Sequence, residues 1–258
     1  MSIYGDRGNI IVLTKRCQWR GIDVEIVPIS LDTKCEILNT CDLLFMGGAQ
    51  DRQQSIVALD LEKKKQALSE MIENHTPGLY ICGGFQFLGK YYKEADGTTI
   101  KQLGILDVWT ENPGSKRLIG NIEVEVSPVI ANEVKQSQKP NKIATDASNP
   151  RNDELIIVGF ENHGGRTRLG PSVTPLGKVI KGYGSNAEDH TEGAIYKNSI
   201  GTYLHGPILP KNPFLADWLI QKALEKKYSS THSGQIILSS LDDTLAQSAS
   251  QAILKRMR

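Results

Sequence analysis

Apolar and polar positions switch between two spacings along the first third of the chain. Ile10, Leu13 and Cys17, set among Lys15, Arg16 and Arg20, recur at helical spacing over Asn9 to Arg20, and Gly21 ends the run. Val24 to Ile29 reads as a strand. Asp42 to Met46 reads as a second, fully buried strand that stops at Gly47-Gly48. From Gln54 to Asn74 the pattern is helical again, with Ile56, Leu59, Leu68, Met71 and Ile72 on or near one face and Glu62 to Lys65 outside. Leu79 to Ile81 is a short apolar strand that runs into Cys82-Gly83-Gly84, after which Phe85, Phe87, Leu88 and Tyr91 open a further helical pattern. Strand, glycine turn and helix repeating at this spacing predict parallel βαβ units. The expected fold is therefore α/β, an open, mostly parallel sheet flanked by helices.

After the helical pattern that follows Cys82-Gly83-Gly84 the texture changes. Gly104 to Trp109, Asn121 to Val129 and Leu155 to Phe160 look like strands, several of them alternating, and Val179-Ile180, Gly193 to Tyr196 and Ile200 to Leu204 supply more. Asn132 to Asp153 is a polar run with Pro140 and Pro150 and reads as an exposed insertion loop. Phe214 to Lys226 is a helix. Residues 228–258 form a polar linker and a C-terminal helix with Leu241, Leu245, Ala249 and Ile253 at helical spacing, expected to pack on its own domain of residues 1–227.

Composition narrows the function. A chain of 258 residues can bury a sizeable core, and a net charge of +1 argues against nucleic acid or an anionic surface as the main partner. No apolar run approaches the roughly 20 residues of a membrane helix, and the N-terminus has no signal-peptide core. Cys17, Cys35, Cys41 and Cys82 form no C-x-x-C pair, which fits neither a zinc site nor a disulfide scaffold and suits a reducing cytoplasm. No Gly-x-x-x-x-Gly-Lys-Ser/Thr loop is present, and the Gly182-Tyr183-Gly184 pair lacks the third glycine of a dinucleotide fingerprint. No metal or cofactor is expected.

Cys82 lies where a strand meets a helix, with glycines that let the backbone turn sharply. An elbow of this kind exposes a nucleophile, and the helix beginning there favours thiolate over thiol. A structural cysteine in a glycine-rich turn is the bland alternative. A nucleophilic cysteine needs a base. Of His75, His163, His190, His205 and His232, only His163 and His205 stand in glycine-rich contexts at strand ends, and either could instead be a hydrogen-bonded structural histidine.

Ile81-Cys82-Gly83-Gly84-Phe85-Gln86 together with Gly201-Thr202-Tyr203-Leu204-His205-Gly206 resembles class I glutamine amidotransferases of the cobyric-acid-synthase-like branch. Gly5 to Ile10, Phe45 to Arg52, Gly159 to Arg166 and Tyr203 to Asn212 look most like the glutaminase subunits of lipid II isoglutaminyl synthases. The similarity runs from Tyr4 to Lys226. It implies a flavodoxin-like architecture in which Cys82 attacks the side-chain amide of L-glutamine and His205 is the base. Gly48 and Gly83 would donate backbone N–H groups to the oxyanion, and Arg117 would hold the α-carboxylate. The resemblance also implies a partner, a Mur-ligase-like ATP-dependent synthetase in a heterodimer, which would spend the ammonia on the D-glutamate of lipid II.

Three departures from that pattern matter. Many relatives carry a glutamate two residues after the histidine, where this chain has Pro207. Asp6, in the Gly5-Asp6-Arg7-Gly8 loop, is a candidate for the orienting acid. Tyr80 replaces a common glycine two residues before the nucleophile. Relatives have a further strand before the Gly-Asp-Arg-Gly loop, and Met1 stands only four residues ahead of it, so either the true start lies upstream or the sheet lacks that strand. Two other readings are an amidotransferase component of a cobyrinate or cobyrate amidating system and a non-catalytic regulatory subunit of the same fold.

Overall fold

A computed structural model describes residues 6–31, 33–48, 54–137, 155–231 and 236–258. The first half carries helices α1 (Arg7–Gln18), α2 (Gln54–Glu73) and α3 (Gly83–Leu88) with strands β1 (Leu44–Met46) and β2 (Gly78–Ile81). Short strands β3 (Tyr91–Lys93), β4 (Thr99–Lys101) and β5 (Val108–Glu111) follow, then the long β6 (Leu118–Val126) and helix α4 (Pro128–Ser137). Beyond it come β7 (Ile156–His163), β8 (Arg166–Leu169), β9 (Gly177–Lys181), β10 (Thr191–Glu192), β11 (Ala194–Tyr196), β12 (Ser199–Thr202) and β13 (Leu204–His205). Helices α5 (Pro213–Lys227) and α6 (Thr244–Met257) close the chain.

The described strands make three sheets. In the first, of order β1-β2-β12-β11, β1, β2 and β12 are parallel and β11 adds an antiparallel edge. All four residues of β2 are buried, as a strand covered on both faces requires. The second, β10-β9-β6-β7-β13, is antiparallel, and the third, β4-β3-β5-β8, pairs in parallel only between β3 and β5. The α/β class holds, whereas "mostly parallel" describes the first sheet alone. Short connections join β3 to β4 and β11 to β12, whereas β6 and β7 pair across a connection that contains α4.

The first sheet's two faces are covered by different core clusters. Leu79, Ile81 and Ile200 pack with Ile122, Val124, Leu215 and Leu219, and Tyr80 packs with Leu68, Ile72, Phe85 and Leu88. Cys82 touches both clusters at the end of the central strand. Tyr80 is wholly buried below the elbow, so the departure from glycine there is absorbed by packing.

Several expected elements differ. Val24 to Ile29 forms no strand: it pairs with none of the described strands, Pro28 removes one donor, and Val24, Ile26 and Ile29 are exposed. In β1 only Leu44 is buried, because β1 is an edge strand among the described strands. Helix α3 stops at Leu88, and Tyr91 begins β3 instead of continuing it. In α2, Leu68, Met71 and Ile72 face the core while Ile56 and Leu59 face solvent. The expected loop at Asn132 begins inside α4, which reaches Ser137; residues 138–153 of it lie outside the described residues. Of the stripe expected from Leu241, Leu245, Ala249 and Ile253, Leu245 is 85% exposed and Ala249 exposed, while Leu241 and Ile253 are half-buried; Met257 is the buried residue of α6.

An ionic cluster ties the segment just before α6 to α1 and α5. Arg16 sets Nε and Nη2 on Asp217 at 2.6 and 2.7 Å and Nη1 on Asp243 at 2.5 Å. Arg20 adds two bonds to Asp217, at 2.9 and 2.8 Å, and one to the Ser239 carbonyl at 2.7 Å. The guanidiniums are buried, paired bidentately and thereby satisfied.

Gly201 in β12 shows how closely the elbow helix approaches the sheet. A Cβ there would overlap the ring of Phe85 on α3. Gly201→Ala is expected to destabilise the fold by about 1–3 kcal/mol through overpacking. Thermal unfolding should show Tm lower by about 2–12 °C; an unchanged Tm would mean the helix is not seated on the strand as described.

Candidate active site

The parallel strands of the first sheet end together, and in open α/β sheets ligands bind outside such carboxyl ends. Gly47-Gly48 follows β1, Cys82 follows β2, and β12 passes through Tyr203 into β13 and His205. Cys82 has φ 51° and ψ −106°, a backbone conformation costly for a residue with a side chain. It is fixed by its own N–H, which donates to the Thr202 carbonyl at 2.8 Å, and by its carbonyl, which accepts from the Gln86 N–H at 2.9 Å. This is the expected nucleophile elbow. Gly83 begins α3, so its N–H is among the helix-terminal amides without an intrahelical acceptor.

His205 is buried and lies between the thiol and an acid. Its Nδ1 is 3.4 Å from Oδ1 of Asp6, and the Cys82 thiol is within hydrogen-bonding reach of the ring. Burial would pull the imidazole's pKa down, but Asp6 and Cys82 outweigh it and raise it from 6.5 to about 9. Asp6 is wholly buried at the N-cap position of α1, yet its side chain makes no capping bond to that helix. Its other oxygen, Oδ2, accepts the Gly48 N–H at 2.8 Å. One carboxylate thus bridges the glycine loop after β1 and the histidine after β13.

Pro207, where an acid was missed in the sequence, has a packing role. A Cβ on Gly8 would overlap its ring, so the proline closes directly over the start of α1 and brings the Asp6 loop beside His205. Two asparagines inside the resemblance motifs brace the same loop. Asn9 Oδ1 accepts the Leu209 N–H at 3.0 Å, and Asn212 Nδ2 donates to the Ile208 carbonyl at 2.7 Å while its Oδ1 accepts the Val158 N–H at 2.9 Å.

The Gly48 N–H donates to Asp6 in this conformation, and Gly83 stands at the start of α3 directly after the cysteine. Arg117 lies just before β6, exposed, with Nε on Asn162 Oδ1 at 2.9 Å and Nη2 on the Asn162 carbonyl at 2.8 Å. Two of its five N–H donors are engaged there, which fixes the fork beside the site.

His163 is buried and stacked on Tyr203 with centroids 3.8 Å apart, and its Nδ1 donates to the Gly165 carbonyl at 2.8 Å. Burial above all pushes its pKa down to about 3, and the charges of Arg166, His205 and Arg117 all reach it. A polar layer that the sequence did not reveal adjoins the His163–Tyr203 stack. Tyr203 OH accepts from Gln86 Nε2 at 3.0 Å and lies 2.6 Å from Thr167 Oγ1, which is 2.7 Å from Thr110 Oγ1. Glu161, wholly buried, accepts the Tyr183 and Gly184 N–H groups at 2.8 and 2.9 Å; burial pushes it up from 4.5 to about 7, with nearby Glu192 adding to the push. Only the unusual Gly-Tyr-Gly at 182–184 signalled this pocket of donors.

An elbow cysteine paired with a histidine on an α/β sheet defines a thiol-dependent acyl-transfer enzyme. Sequence comparison makes that class specific: the profile of the CobB/CobQ-like glutamine amidotransferase domain matches residues 1–213, and this chain belongs to that family. It is 44% identical over 227 residues to the lipid II isoglutaminyl synthase (glutamine-hydrolyzing) subunit GatD of Staphylococcus aureus strain N315, covering 88% of this chain and 82% of that one. The protein of the same description from Streptococcus pneumoniae R6 is 40% identical over 247 residues, covering 96% and 84%. A cobyric acid synthase of Listeria monocytogenes is 30% identical over 76% of this chain but only 34% of its own length. Among solved structures, the glutaminase domain of Trypanosoma brucei CTPS with bound acivicin aligns with a TM-score of 0.51 at 11% identity, covering 92% of this chain and 94% of that one, which supports the fold. No helix among the described residues is long and apolar enough to cross a membrane.

Asp6→Asn is expected to cut glutamine hydrolysis by about 10- to 100-fold, the worth of a hydrogen bond to a charged group. His205 holds its proton more tightly in the folded state, so its contribution to stability is full below pH 6.5 and is lost as pH rises through about 9. Urea unfolding at stepped pH should show that decline in the wild type and a flatter curve in Asp6→Asn; equal slopes and equal activity would remove Asp6 from the site.

Proposed function

We propose that this chain is the glutaminase subunit of a two-component ligase that amidates the D-glutamate of lipid II. The observation that carries the reading is the strained Cys82 elbow facing a His205 held by Asp6. Cys82 sulfur attacks the side-chain carbonyl carbon of L-glutamine, and His205, with Nδ1 facing Asp6, takes the thiol proton. The tetrahedral oxyanion is met by the Gly83 N–H, and by the Gly48 N–H once it leaves Asp6. His205 returns the proton to the leaving nitrogen, ammonia departs, and a γ-glutamyl thioester remains. Water, deprotonated by His205, then cleaves the thioester to glutamate and restores the thiol. Arg117 pairs with the substrate α-carboxylate.

The sequence carries no phosphate-binding loop, so the ATP-dependent step falls to another chain, a Mur-ligase-like synthetase bound as a stable heterodimer. The acceptor is supported by 44% and 40% identity with the two GatD subunits along more than four-fifths of their lengths. Cobyric acid synthases, of which this chain spans about a third, support a corrinoid acceptor less well. A non-catalytic role is disfavoured by the joint presence of Cys82, His205 and Asp6 in hydrogen-bonding geometry. Residues 1–227 form the catalytic domain in this proposal, and 228–258 brace it through Asp243 and Ser239.

The test is ammonia release from L-glutamine by the chain with and without the co-expressed synthetase. Cys82→Ala should abolish it, and Arg117→Ala should raise KM by about 10- to 100-fold with kcat less affected. No ammonia in either setting, with D-glutamate amidation supported only by added ammonium, would overturn the proposal.

A further inference from the structure

Strands β12 and β13 are almost continuous in sequence yet belong to different sheets. Thr202 is the last residue paired to β2, across from Ile81, and His205 is already paired to β7, across from Phe160. Between them the chain leaves one ladder for another, and the N–H groups of Tyr203 and Leu204 lose sheet partners in a fully buried place. Buried N–H groups must find acceptors. The Tyr203 N–H donates to Glu192 Oε1 at 2.8 Å, and the Leu204 N–H donates to Thr202 Oγ1 at 3.1 Å. The Thr202 hydroxyl in turn donates to the same Glu192 Oε1 at 2.6 Å, and Ser185 Oγ donates to Glu192 Oε2 at 3.3 Å. Glu192 itself is wholly buried and anchored in β10 of the second sheet.

This carboxylate therefore sets the junction that both reacting groups depend on. On one side of the junction the Thr202 carbonyl receives the Cys82 N–H, which holds the elbow. On the other side, three residues from Thr202, stands His205. We infer that Glu192 is a positioning residue, fixing the Thr202–Tyr203 junction so that the Cys82 thiol and the His205 imidazole meet in reactive register. The inference rests on the Cys82–His205 reading of the site. Glu192 touches neither substrate nor the reacting atoms; it acts through the backbone of the switch between sheets. A glutamine at 192 keeps one oxygen for Thr202 and Tyr203 and offers its amide to Ser185 Oγ, whereas alanine leaves three buried donors without an acceptor.

The experiment compares wild type, Glu192→Gln and Glu192→Ala in the complex with the synthetase. It measures kcat and KM for ammonia release, the folded fraction by circular dichroism, and the rate of Cys82 labelling by a glutamine-mimicking diazo ketone, read by mass spectrometry. Glu192→Ala should lose about 100-fold in kcat and in labelling rate with KM within about twofold, the scale of a 1 Å misplacement of reacting groups. Glu192→Gln should recover most of that loss. If alanine does not fold, Thr202→Val carries the test, with the same kcat-specific loss expected. Wild-type kcat and labelling in Glu192→Ala or Thr202→Val, a glutamine variant as impaired as alanine, or losses that only track the folded fraction would each overturn the inference. A wild type inert to both glutamine and the diazo ketone would instead strike the Cys82–His205 reading itself.

Discussion

The carboxylate of Asp6 is shared between a backbone N–H and an imidazole, and much of the site's geometry follows from that sharing. Oδ2 holds the Gly48 amide after β1, and Oδ1 faces Nδ1 of His205 after β13. A buried, wholly desolvated carboxylate is stable only when its oxygens are met by donors, so the three segments that supply and receive those bonds are constrained to one arrangement. Pro207 packed over Gly8 makes the constraint steric as well as electrostatic. The same bond pattern occupies the Gly48 amide, so the glycine loop and the histidine are coupled through one side chain.

Behind this first arrangement lies a second, built on Glu161 and Glu192. Each buried glutamate receives backbone N–H groups where the chain departs from a ladder: Glu161 at Tyr183-Gly184 and Glu192 at Tyr203. Together with Tyr203, stacked on His163 and tied to Gln86 and Thr167, they form a polar layer between the parallel and antiparallel sheets. An apolar filling could not satisfy backbone groups that leave one sheet before joining the next. The polar layer makes the join specific.

Much of the chemistry was legible because its signals are local. An apolar strand running into Cys-Gly-Gly and then an apolar helix states the elbow in a dozen residues, and His205 follows a strand in the same way. The α/β core around β1, β2 and α2 was legible from periodicity. What was hidden depends on residues far apart. The Arg16–Asp217–Asp243 cluster joins positions about 200 apart in sequence, which no periodicity reveals. Glu161 and Glu192 stand in alternating strands where a carboxylate reads as solvent-facing. Asp6 could be nominated from its loop, but that its second oxygen takes the Gly48 amide could not. Val24 to Ile29 has the composition of a strand and none of the described strands beside it, so pattern without pairing gave the wrong element.

The central claim is that Asp6 governs the charge and orientation of His205. Its most direct test is an NMR titration of the His205 imidazole in the wild type and in Asp6→Asn. The account predicts a wild-type pKa well above 6.5, toward 9, that falls substantially in the variant. A His205 that titrates near 6.5 in both proteins would contradict it.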